Sequence, residues 1–400
     1  MATHAHSDPY SEHHPDLSDA ALARLTHELA HWAQDYDRNP RFPREAFDIL
    51  AREGLIGLTV AKRLGGAGAG LVDALRVLGA VAKGEPSTAL ILFMTYAFHA
   101  APDKGRRWDR ALYERLAREA VTGAGLVGTF RVEPELGTPV RGGLPATTAR
   151  RAGSGWLLSG EKIYSTGSSG LDWFAVWART DEDPVRVGLF LVKPDSAGIT
   201  ILPEWDHLGM RATVSHKVVF DDTPVPPALA VDLRVPEDWA PRPEDGSALV
   251  WNALAIATIY DGVARAARDW LVGYLNARKP ANLGAALATL PRVQEKVGEI
   301  EALLHANRVL IDEAARLADA GLGPGATQAN LVKHLANANA IKAVEIGLEL
   351  TGNPGISRAN PLERHYRDVL CSRIHSPQAD TVLVAAGKAA LSLPGGFSAR

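Results

Sequence analysis

The sequence predicts an α+β protein with an N-terminal helical domain, a middle antiparallel β-barrel or sandwich domain and a C-terminal four-helix-bundle domain. Two observations lead to this fold class. Apolar residues recur at three- and four-residue spacing in the first and last parts of the chain, whereas short β-branched and aromatic runs fill the middle. A length of 400 residues also exceeds one ordinary core. We place a disordered polar tail at 1–16 and the domains at 17–125, 126–235 and 236–400.

The N-terminal domain is predicted to consist of helices interrupted by one flexible loop. The segments "DLSDAALARLTHELAHWAQDYDR" and "FPREAFDILAREGLIGL" carry apolar residues at helical spacing, and Pro43 stands at a helix start, where its missing N–H is not needed. The stretch "RLGGAGAG" breaks the pattern as a loop. Two further helices follow, and the second, "PSTALILFMTYAFHAA", is apolar enough that we expect it to be buried.

The middle domain is predicted from short runs that Gly, Pro and Asp separate, which is typical of an antiparallel sheet or barrel. The runs are "GLVGTFRV", "ATTARRAG", "GWLLSGEKIYSTG", "DWFAVWART", "RVGLFLVKP", "GITILPEW" and "HKVVFDDTPVP". After a loop, the periodicity predicts long helices at roughly 247–277, 290–319, 326–351 and 377–392.

The composition argues against several classes of function. A formal net charge of −3 gives no general attraction to nucleic acid or to an anionic membrane, so we expect neither as a partner. The longest strongly apolar run, residues 89–101, is too short to span a bilayer. Cys371 is the only cysteine, which excludes an intrachain disulfide and suits a reducing cytosol. The N-terminus lacks an apolar signal core, so we expect a cytoplasmic protein.

Four local stretches, in this order, resemble the acyl-CoA dehydrogenase superfamily of flavoproteins over about residues 20–395. They are "FPREAFDILAREGLIGLTVAKRLGGAGAG", "GEKIYSTGSSGLDWFAVWART", "HLGMRATVSHKVVFDDTPVP" and "TGNPGISRANPLERHYRD". The resemblance implies a helical, β-barrel, helical subunit with FAD at the interface of its parts. It also implies an FAD-dependent oxidoreductase of acyl-CoA dehydrogenase type, acting on the CH–CH group of an acyl thioester or a related substrate.

The resemblance assigns flavin contacts to the middle domain. Tyr164, Ser165 and Thr166 supply an aromatic ring and hydroxyls at a strand end, and Thr166 would hydrogen-bond the N5 side of the flavin. Val132 and Thr138 lie in a stretch similar to the family's loop over the flavin, with Thr138 at a hydroxyl position. Val132 departs from the usual threonine, so only a backbone donor would remain there. Without the resemblance, these residues are ordinary for a sheet edge.

The resemblance also places cofactor contacts in the C-terminal domain. Gly352 and Gly355 would approach the ADP half of a flavin bound by a neighbouring subunit, and Arg278 would reach its diphosphate. Gln378 is a further candidate for cofactor binding. The alternative is structural: the glycines form a helix C-cap and turn, and Arg278 is a solvated charge at a helix end.

The usual catalytic base is missing. Removal of an α-proton beside a thioester needs a positioned carboxylate. The family's main branch has it eight residues after the Asp of the Arg-Asp pair, which is Ser376 here, and other branches have it at the position of Asn252. The Asp and Arg that contact the CoA arm in the family are replaced by Val250 and Ala253.

Two neighbours could replace the base. His375 is adjacent to Ser376 in sequence, although adjacent helical residues point about 100° apart. Asp380 is one turn further along if the segment is helical. Ser376 itself has a structural interpretation, since "SPQAD" is typical of a helix start with Ser376 as N-cap and Pro377 in the first turn.

Three functional hypotheses follow. The first is a dehydrogenase whose base has moved to His375 or Asp380, with electron-transfer flavoprotein as a possible acceptor. The second is a monooxygenase of the same superfamily, which takes reduced flavin from a reductase and needs a proton donor, such as Ser376, His375 or His99. The third is a catalytically silent flavin-binding protein. His99 is otherwise a core histidine. In each case we expect a small-molecule substrate, possibly an acyl-CoA, and a homodimer or homotetramer.

Overall fold

The computed structural model describes residues 15–100, 108–135, 143–239 and 246–392. Thr138 and residues 1–14 of the predicted tail lie outside these ranges. The N-terminal part is helical. Its helices are α1 (Asp19–Ala30), α2 (Ala33–Arg38), α3 (Arg44–Arg52), α4 (Leu71–Gly84), α5 (Pro86–Ala100) and α6 (Arg110–Val121). Helix α5 is buried along nearly its whole length, as its apolar sequence predicts.

The middle part is one eight-stranded sheet. Its strands are β1 (Val127–Phe130), β2 (Thr148–Ala152), β3 (Gly155–Ser165), β4 (Trp173–Thr180), β5 (Val187–Val192), β6 (Ile199–Leu202), β7 (His216–Val225) and β8 (Ala230–Arg234). The order is β6-β7-β3-β2-β4-β5-β8, and β1 pairs with β4. The prediction of an antiparallel sheet needs one addition. Strands β1 and β2 both pair with β4 in parallel.

The C-terminal part is again helical, with α7 (Gly246–Ala277), α8 (Pro291–Asp319), α9 (Ala326–Thr351), α10 (Asn353–Ile356), α11 (Leu362–Leu370) and α12 (Ala379–Ser392). Helix α7 packs against α9, α4 and α5. Among the described residues it is the one helix with a segment, Ser247–Ala277, long and apolar enough to cross a membrane, and 72% of that apolar window is buried in the protein. This burial is typical of the central helix of a bundle.

Ion pairs and backbone contacts fasten the last helices to the other two parts. Arg367 in α11 binds both carboxylate oxygens of Asp37 in α2 at 2.7 Å and donates to the Leu208 carbonyl at 2.8 Å. The next residue, Asp368, accepts a hydrogen bond from the Met210 N–H at 2.7 Å. A Cβ at Gly209 would lie 2.5 Å from the Arg367 carbonyl oxygen, so only glycine allows this close approach. The short segment Gly209–Met210 is thereby held against α11.

The apolar core runs through all three parts without a break. One large cluster joins the helices of both ends to the inner face of the sheet. A second cluster gathers Phe98 from α5, Trp108, Tyr113 from α6 and two tryptophans of β4, Trp173 and Trp177. Strand β3 ends at Ser165, opposite His216 of β7, and the candidate flavin contacts Tyr164, Ser165 and Thr166 lie at this strand end.

Candidate active site

Hydroxyl groups collect where β3 ends. The Ser165 side chain is 1% exposed, and its Oγ has no hydrogen-bond partner among the described residues. Ser215 Oγ lies 3.2 Å from Thr166 Oγ1 and 2.9 Å from Thr213 Oγ1. A buried hydroxyl without a partner is destabilising unless a ligand satisfies it. These hydroxyls therefore suit the polar edge of a flavin. Thr213 and Ser215 were not predicted, because they come about fifty residues later in the chain.

The backbone around these hydroxyls is strained. Tyr164 has φ 54°, Met210 has φ 53° and Val214 has φ 38°. Side chains with a Cβ rarely adopt this left-handed region, and a β-branched valine is the least suited to it. Such strain is concentrated at sites where the fold imposes one local geometry. The turn after β3 and the segment 210–215 are thus held in one shape beside the hydroxyl groups.

An aromatic group flanks the same turn. The Tyr164 ring is 55% exposed and meets the Trp205 and His207 rings edge-on, with centroids 6.4 Å and 6.1 Å away. Trp205 and His207 stack on each other with their centroids 3.5 Å apart. Exposed aromatic faces of this kind can cover a flat ring system. The predicted aromatic contact of Tyr164 is therefore sterically available.

A buried ion pair lies under the loop that holds Val132. The Glu133 carboxylate accepts hydrogen bonds from Lys162 Nζ at 2.6 Å, from Thr147 Oγ1 at 2.6 Å and from the N–H groups of Thr147 and Ala146. The Lys162 and Glu133 side chains are 0% and 2% exposed. Burial alone would raise the pKa of Glu133, but the hydrogen bonds from Lys162 and Thr147 hold it below the ordinary value. The Val132 carbonyl accepts from the Ile163 N–H at 3.0 Å.

The two positions at which the family keeps its base meet in this structure. Asn252 Nδ2 in α7 donates to the Ser376 carbonyl at 3.3 Å. Neither residue is an acid, so neither of the two positions supplies the carboxylate that dehydrogenation needs. Val250 and Ala253 are 4% and 0% exposed and lie in the apolar core. Two residues so placed offer no polar contact to a CoA arm.

His375 lies beside this position and contacts a tyrosine that was not predicted. Tyr260 Oη is 2.6 Å from His375 Nε2, and the Tyr260 side chain is fully buried in α7. Burial, reinforced by the charge of Lys333, lowers the pKa of His375 to about 4, so the imidazole is neutral at neutral pH. Lys333 in α9 donates to the carbonyls of His375 at 3.1 Å and Pro377 at 2.6 Å.

The prediction that Ser376 caps the last helix is wrong. Helix α12 begins at Ala379, three residues after Ser376. The physical reason is that side chains of other helices bind the carbonyls of residues 375, 376 and 377. Lys333 and Asn252 thereby hold residues 375–377 outside the helix, which begins only at Ala379. The direct role predicted for Ser376 remains a prediction.

The other two candidates for proton transfer lie in different surroundings. Asp380 is exposed in the first turn of α12, and its Oδ1 accepts from the Thr381 N–H at 2.7 Å. His99 is 4% exposed, and its ring packs edge-on against Phe98, with Tyr113 also close. The structure thus places His375 next to Ser376 and Asn252, whereas His99 lies in α5 among the aromatic rings of Phe98 and Tyr113.

Three of the remaining cofactor candidates, Arg278, Gly352 and Gln378, are exposed on the C-terminal domain, whereas Gly355 is buried. Arg278 is exposed just after α7. Gly352 ends α9 with φ 59° and has open space around it, whereas a Cβ at Gly355 would lie 2.2 Å from Thr351 Oγ1. Gln378 lines a cavity of about 430 Å³ between α9 and α12. An open glycine at a helix end is compatible with the approach of a ligand from a second subunit.

Comparison with known families gives matches along most of the chain. The family "Acyl-CoA dehydrogenase, N-terminal domain" matches residues 11–102, the middle domain of the same family matches residues 131–223, and its C-terminal domain matches residues 246–376. The chain is 31% identical to the putative acyl-CoA dehydrogenase YdbM of Bacillus subtilis, over 91% of this chain and 93% of that protein. It is 30% identical to L-evernosamine nitrososynthase of a Micromonospora species, over 90% and 86%.

Two solved structures show the same architecture. KijD3 in complex with FMN and dTDP-3-amino-2,3,6-trideoxy-4-keto-3-methyl-D-glucose is 29% identical, with a TM-score of 0.81 and coverage of 98% of both chains. Butyryl-CoA dehydrogenase from Megasphaera elsdenii has a TM-score of 0.81 over 94% of this chain and 99% of that one, at 22% identity. The second likeness concerns the fold alone. The predicted three-part fold is confirmed.

Proposed function

The chain belongs to the acyl-CoA dehydrogenase superfamily, and from this premise we propose that it is a flavin-dependent monooxygenase of that superfamily. Family membership confirms the prediction of a flavin-dependent enzyme, and the predicted FAD is the flavin that the family uses. One observation carries the choice of reaction. The Asn252 amide binds the Ser376 carbonyl, so both positions that could hold the base for dehydrogenation converge on one point and neither is an acid.

The polar side chains at this site are suited to donate hydrogen bonds, and none of the carboxylates that the structure describes is placed to abstract a proton from a substrate. The hydroxyls of Ser165, Thr166 and Ser215 would bind the polar edge of the flavin. His375 is neutral and would hold a proton near the reacting centre. When reduced and bound, the flavin supplies the electrons that activate molecular oxygen, with one oxygen atom entering the substrate and the other leaving as water.

The comparisons support the same choice. L-evernosamine nitrososynthase and two amino sugar nitrososynthases are 30–32% identical to this chain. The KijD3 structure is named with FMN and an amino sugar nucleotide. The buried Val250 and Ala253 argue against an acyl-CoA, and a substrate without a CoA arm fits them. We propose a partner reductase as the source of reduced flavin, and a cytoplasmic location in keeping with the single cysteine.

A dehydrogenase with a relocated base is the second candidate. The observation in its favour is the neutral imidazole of His375 beside Ser376, together with the relative named as a putative acyl-CoA dehydrogenase. It requires His375 to accept a proton, although Tyr260 already occupies Nε2. The two candidates therefore differ in whether an acyl thioester can reduce the flavin.

The experiment uses the purified protein with flavin bound. Under anaerobic conditions, short-, medium- and long-chain acyl-CoAs should leave the absorbance of the oxidised flavin unchanged. When chemically reduced protein is then mixed with oxygen, the absorbance of the oxidised flavin should return only after a measurable delay. The His375→Gln substitution should slow this return by about a hundredfold or more. Asp380→Asn serves as the control and should leave it unchanged. Rapid flavin reduction by any acyl-CoA would overturn the proposal and favour the dehydrogenase.

A further inference from the structure

The hydrogen bond between Tyr260 and His375 gives the tyrosine proton an acceptor in only one direction, with Tyr260 as the donor. Tyr260 is fully buried, its hydroxyl lies 2.6 Å from His375 Nε2, and the ring centroids are 5.5 Å apart at an angle of 45°. Burial raises the pKa of Tyr260 well above its ordinary value, so the phenol keeps its proton. A buried hydroxyl proton needs an acceptor. In the described part of the chain, Nε2 of His375 lies within hydrogen-bonding distance of the phenol and is that acceptor.

We propose that Tyr260 is a positioning residue that fixes His375 as the tautomer with its proton on Nδ1. The Tyr260 O–H donates to Nε2, so Nε2 carries no proton and the neutral ring holds its single proton on Nδ1. His375 then presents an N–H donor on the side away from Tyr260. This inference deepens the proposed function and relies on it for the use of that proton, but the tautomer itself can be measured independently.

Burial, with the charge of Lys333, keeps the ring neutral. Lys333 approaches from α9 with its side chain 3% exposed, and it binds the carbonyls on both sides of Ser376. Its charge opposes a second proton on His375. Tyr260 approaches from α7. Cys371 and Asp368, on the segment before His375, raise the pKa of Tyr260 further. Lys333 therefore both fixes the backbone and disfavours the imidazolium.

Neutrality and tautomer together define what His375 can do. The lone pair of Nε2 is occupied by the Tyr260 hydroxyl, so His375 cannot act as a base through Nε2 without breaking that hydrogen bond. Through Nδ1 it can donate a hydrogen bond, whereas loss of that single proton would leave an imidazolate. A donor is what the proposed monooxygenase needs at this place, whereas the dehydrogenase needs an acceptor.

The test is nitrogen NMR of protein labelled with ¹⁵N-histidine, with or without flavin. The chain has 13 histidines, and the His375→Gln variant identifies the signals of His375 by their loss. Wild-type protein should show a protonated Nδ1 and an unprotonated, hydrogen-bonded Nε2 at neutral pH. In Tyr260→Phe this pattern should give way to a mixture in which Nε2 carries the proton. Tyr274→Phe, on the same helix, should retain the wild-type pattern.

The opposite tautomer in wild-type protein, with the proton on Nε2, would overturn the inference. So would an unchanged pattern in Tyr260→Phe. A second variant guards against a fold defect: Lys333→Met should keep the Nδ1–H tautomer but raise the pKa of His375, because a nearby positive charge is removed. If the tautomer is as stated and acyl-CoA nevertheless reduces the flavin, the proposed function fails while the positioning role of Tyr260 stands.

Discussion

Asp368 is a carboxyl group that the fold keeps away from water. Its side chain is 4% exposed and accepts a hydrogen bond from the Met210 N–H at 2.7 Å, and burial raises its pKa to about 7. Because the pKa in the folded state exceeds the ordinary value of 3.8, the folded protein binds a proton between these values that the unfolded chain releases. The contribution of Asp368 to stability therefore decreases as the pH rises from about 4 to 7.

Asp368→Asn should remove this dependence, because the amide oxygen can still accept from Met210 and the residue no longer ionises. We expect the variant to match the wild type near pH 4 and to exceed it at pH 8 by on the order of a few kcal/mol. Melting temperatures of the two proteins at pH 4, 5, 6, 7 and 8 measure the difference. Asp380→Asn, at an exposed site, is the control. Parallel curves for wild type and Asp368→Asn would contradict the expectation.

At the residue scale, sequence reasoning found what lies close in the chain and missed what lies far away. Ser376 and His375 could be located because they follow the Arg-Asp pair at a fixed spacing. Tyr260 is 115 residues from His375, and Lys333 is 42 residues away, so no local pattern connects them. The capping role of Ser376 was predicted wrongly for the same reason, since Asn252 and Lys333 hold the carbonyls of that turn.

At the scale of elements, the pair Glu133–Lys162 fastens the loop after β1 to strand β3. Both side chains are buried, and removal of one partner would leave the other charge without compensation. We expect Glu133→Gln and Lys162→Met each to lower the free energy of unfolding by about 3–5 kcal/mol. The double variant should lose clearly less than the sum of the two, because no unpaired buried charge remains.

Denaturant unfolding of the four proteins measures this coupling. The exposed pair Arg150–Asp222 in the same sheet, at 3.4 Å and with side chains 53% and 56% exposed, is the matched control. Its removal should change the free energy of unfolding by about 1 kcal/mol or less. Since Glu133 adjoins Val132, the single variants should also bind flavin more weakly. Strict additivity of the two buried substitutions would show that the pair does not act as a unit.

Helical periodicity predicts most of the helices, but it does not predict which strands pair with each other. The four long helices predicted in the C-terminal part begin and end within two residues of those observed, and the apolar stripes of the first three face one core. The parallel pairing of β1 and β2 with β4 could not be predicted, since each strand sequence suits either direction. Thr213 and Ser215 lie beside the end of β3 because β7 pairs with β3, with His216 opposite Ser165, and this long-range pairing explains why they were missed.

At the scale of the whole molecule, the order helix, sheet, helix was sufficient to predict the fold class. The joints between the parts were not predictable, because they depend on single contacts such as Arg367 with Asp37 and Asp319 with the first N–H groups of α4. Asp319 ends α8 and accepts from the N–H groups of Leu71 and Val72 at 2.7 Å and 2.9 Å. It thereby caps a helix almost 250 residues away in sequence.

The surface of the last helices predicts self-association. Leu383 and Val384 on α12 are 50% and 56% exposed, and Ile356 at the end of α10 and Ile374 before α12 are 68% and 60% exposed. We expect a partner subunit to cover these apolar side chains. Gly352 and Arg278, which the family resemblance assigns to the flavin of a second subunit, are also exposed. We therefore expect a homodimer at least, with a mass of at least twice 42.7 kDa.

Light scattering at micromolar concentration tests this expectation on wild type and on Val384→Glu. A charge placed in an apolar interface is destabilising unless it is paired, so Val384→Glu should shift the mass toward 42.7 kDa. Leu144→Glu, at a 39% exposed site in the middle domain, is the control and should keep the wild-type mass. Dissociation should also release flavin if a second subunit completes its site. A wild-type protein that scatters as a monomer would refute the association and leave Gly352 and Arg278 without a flavin to contact.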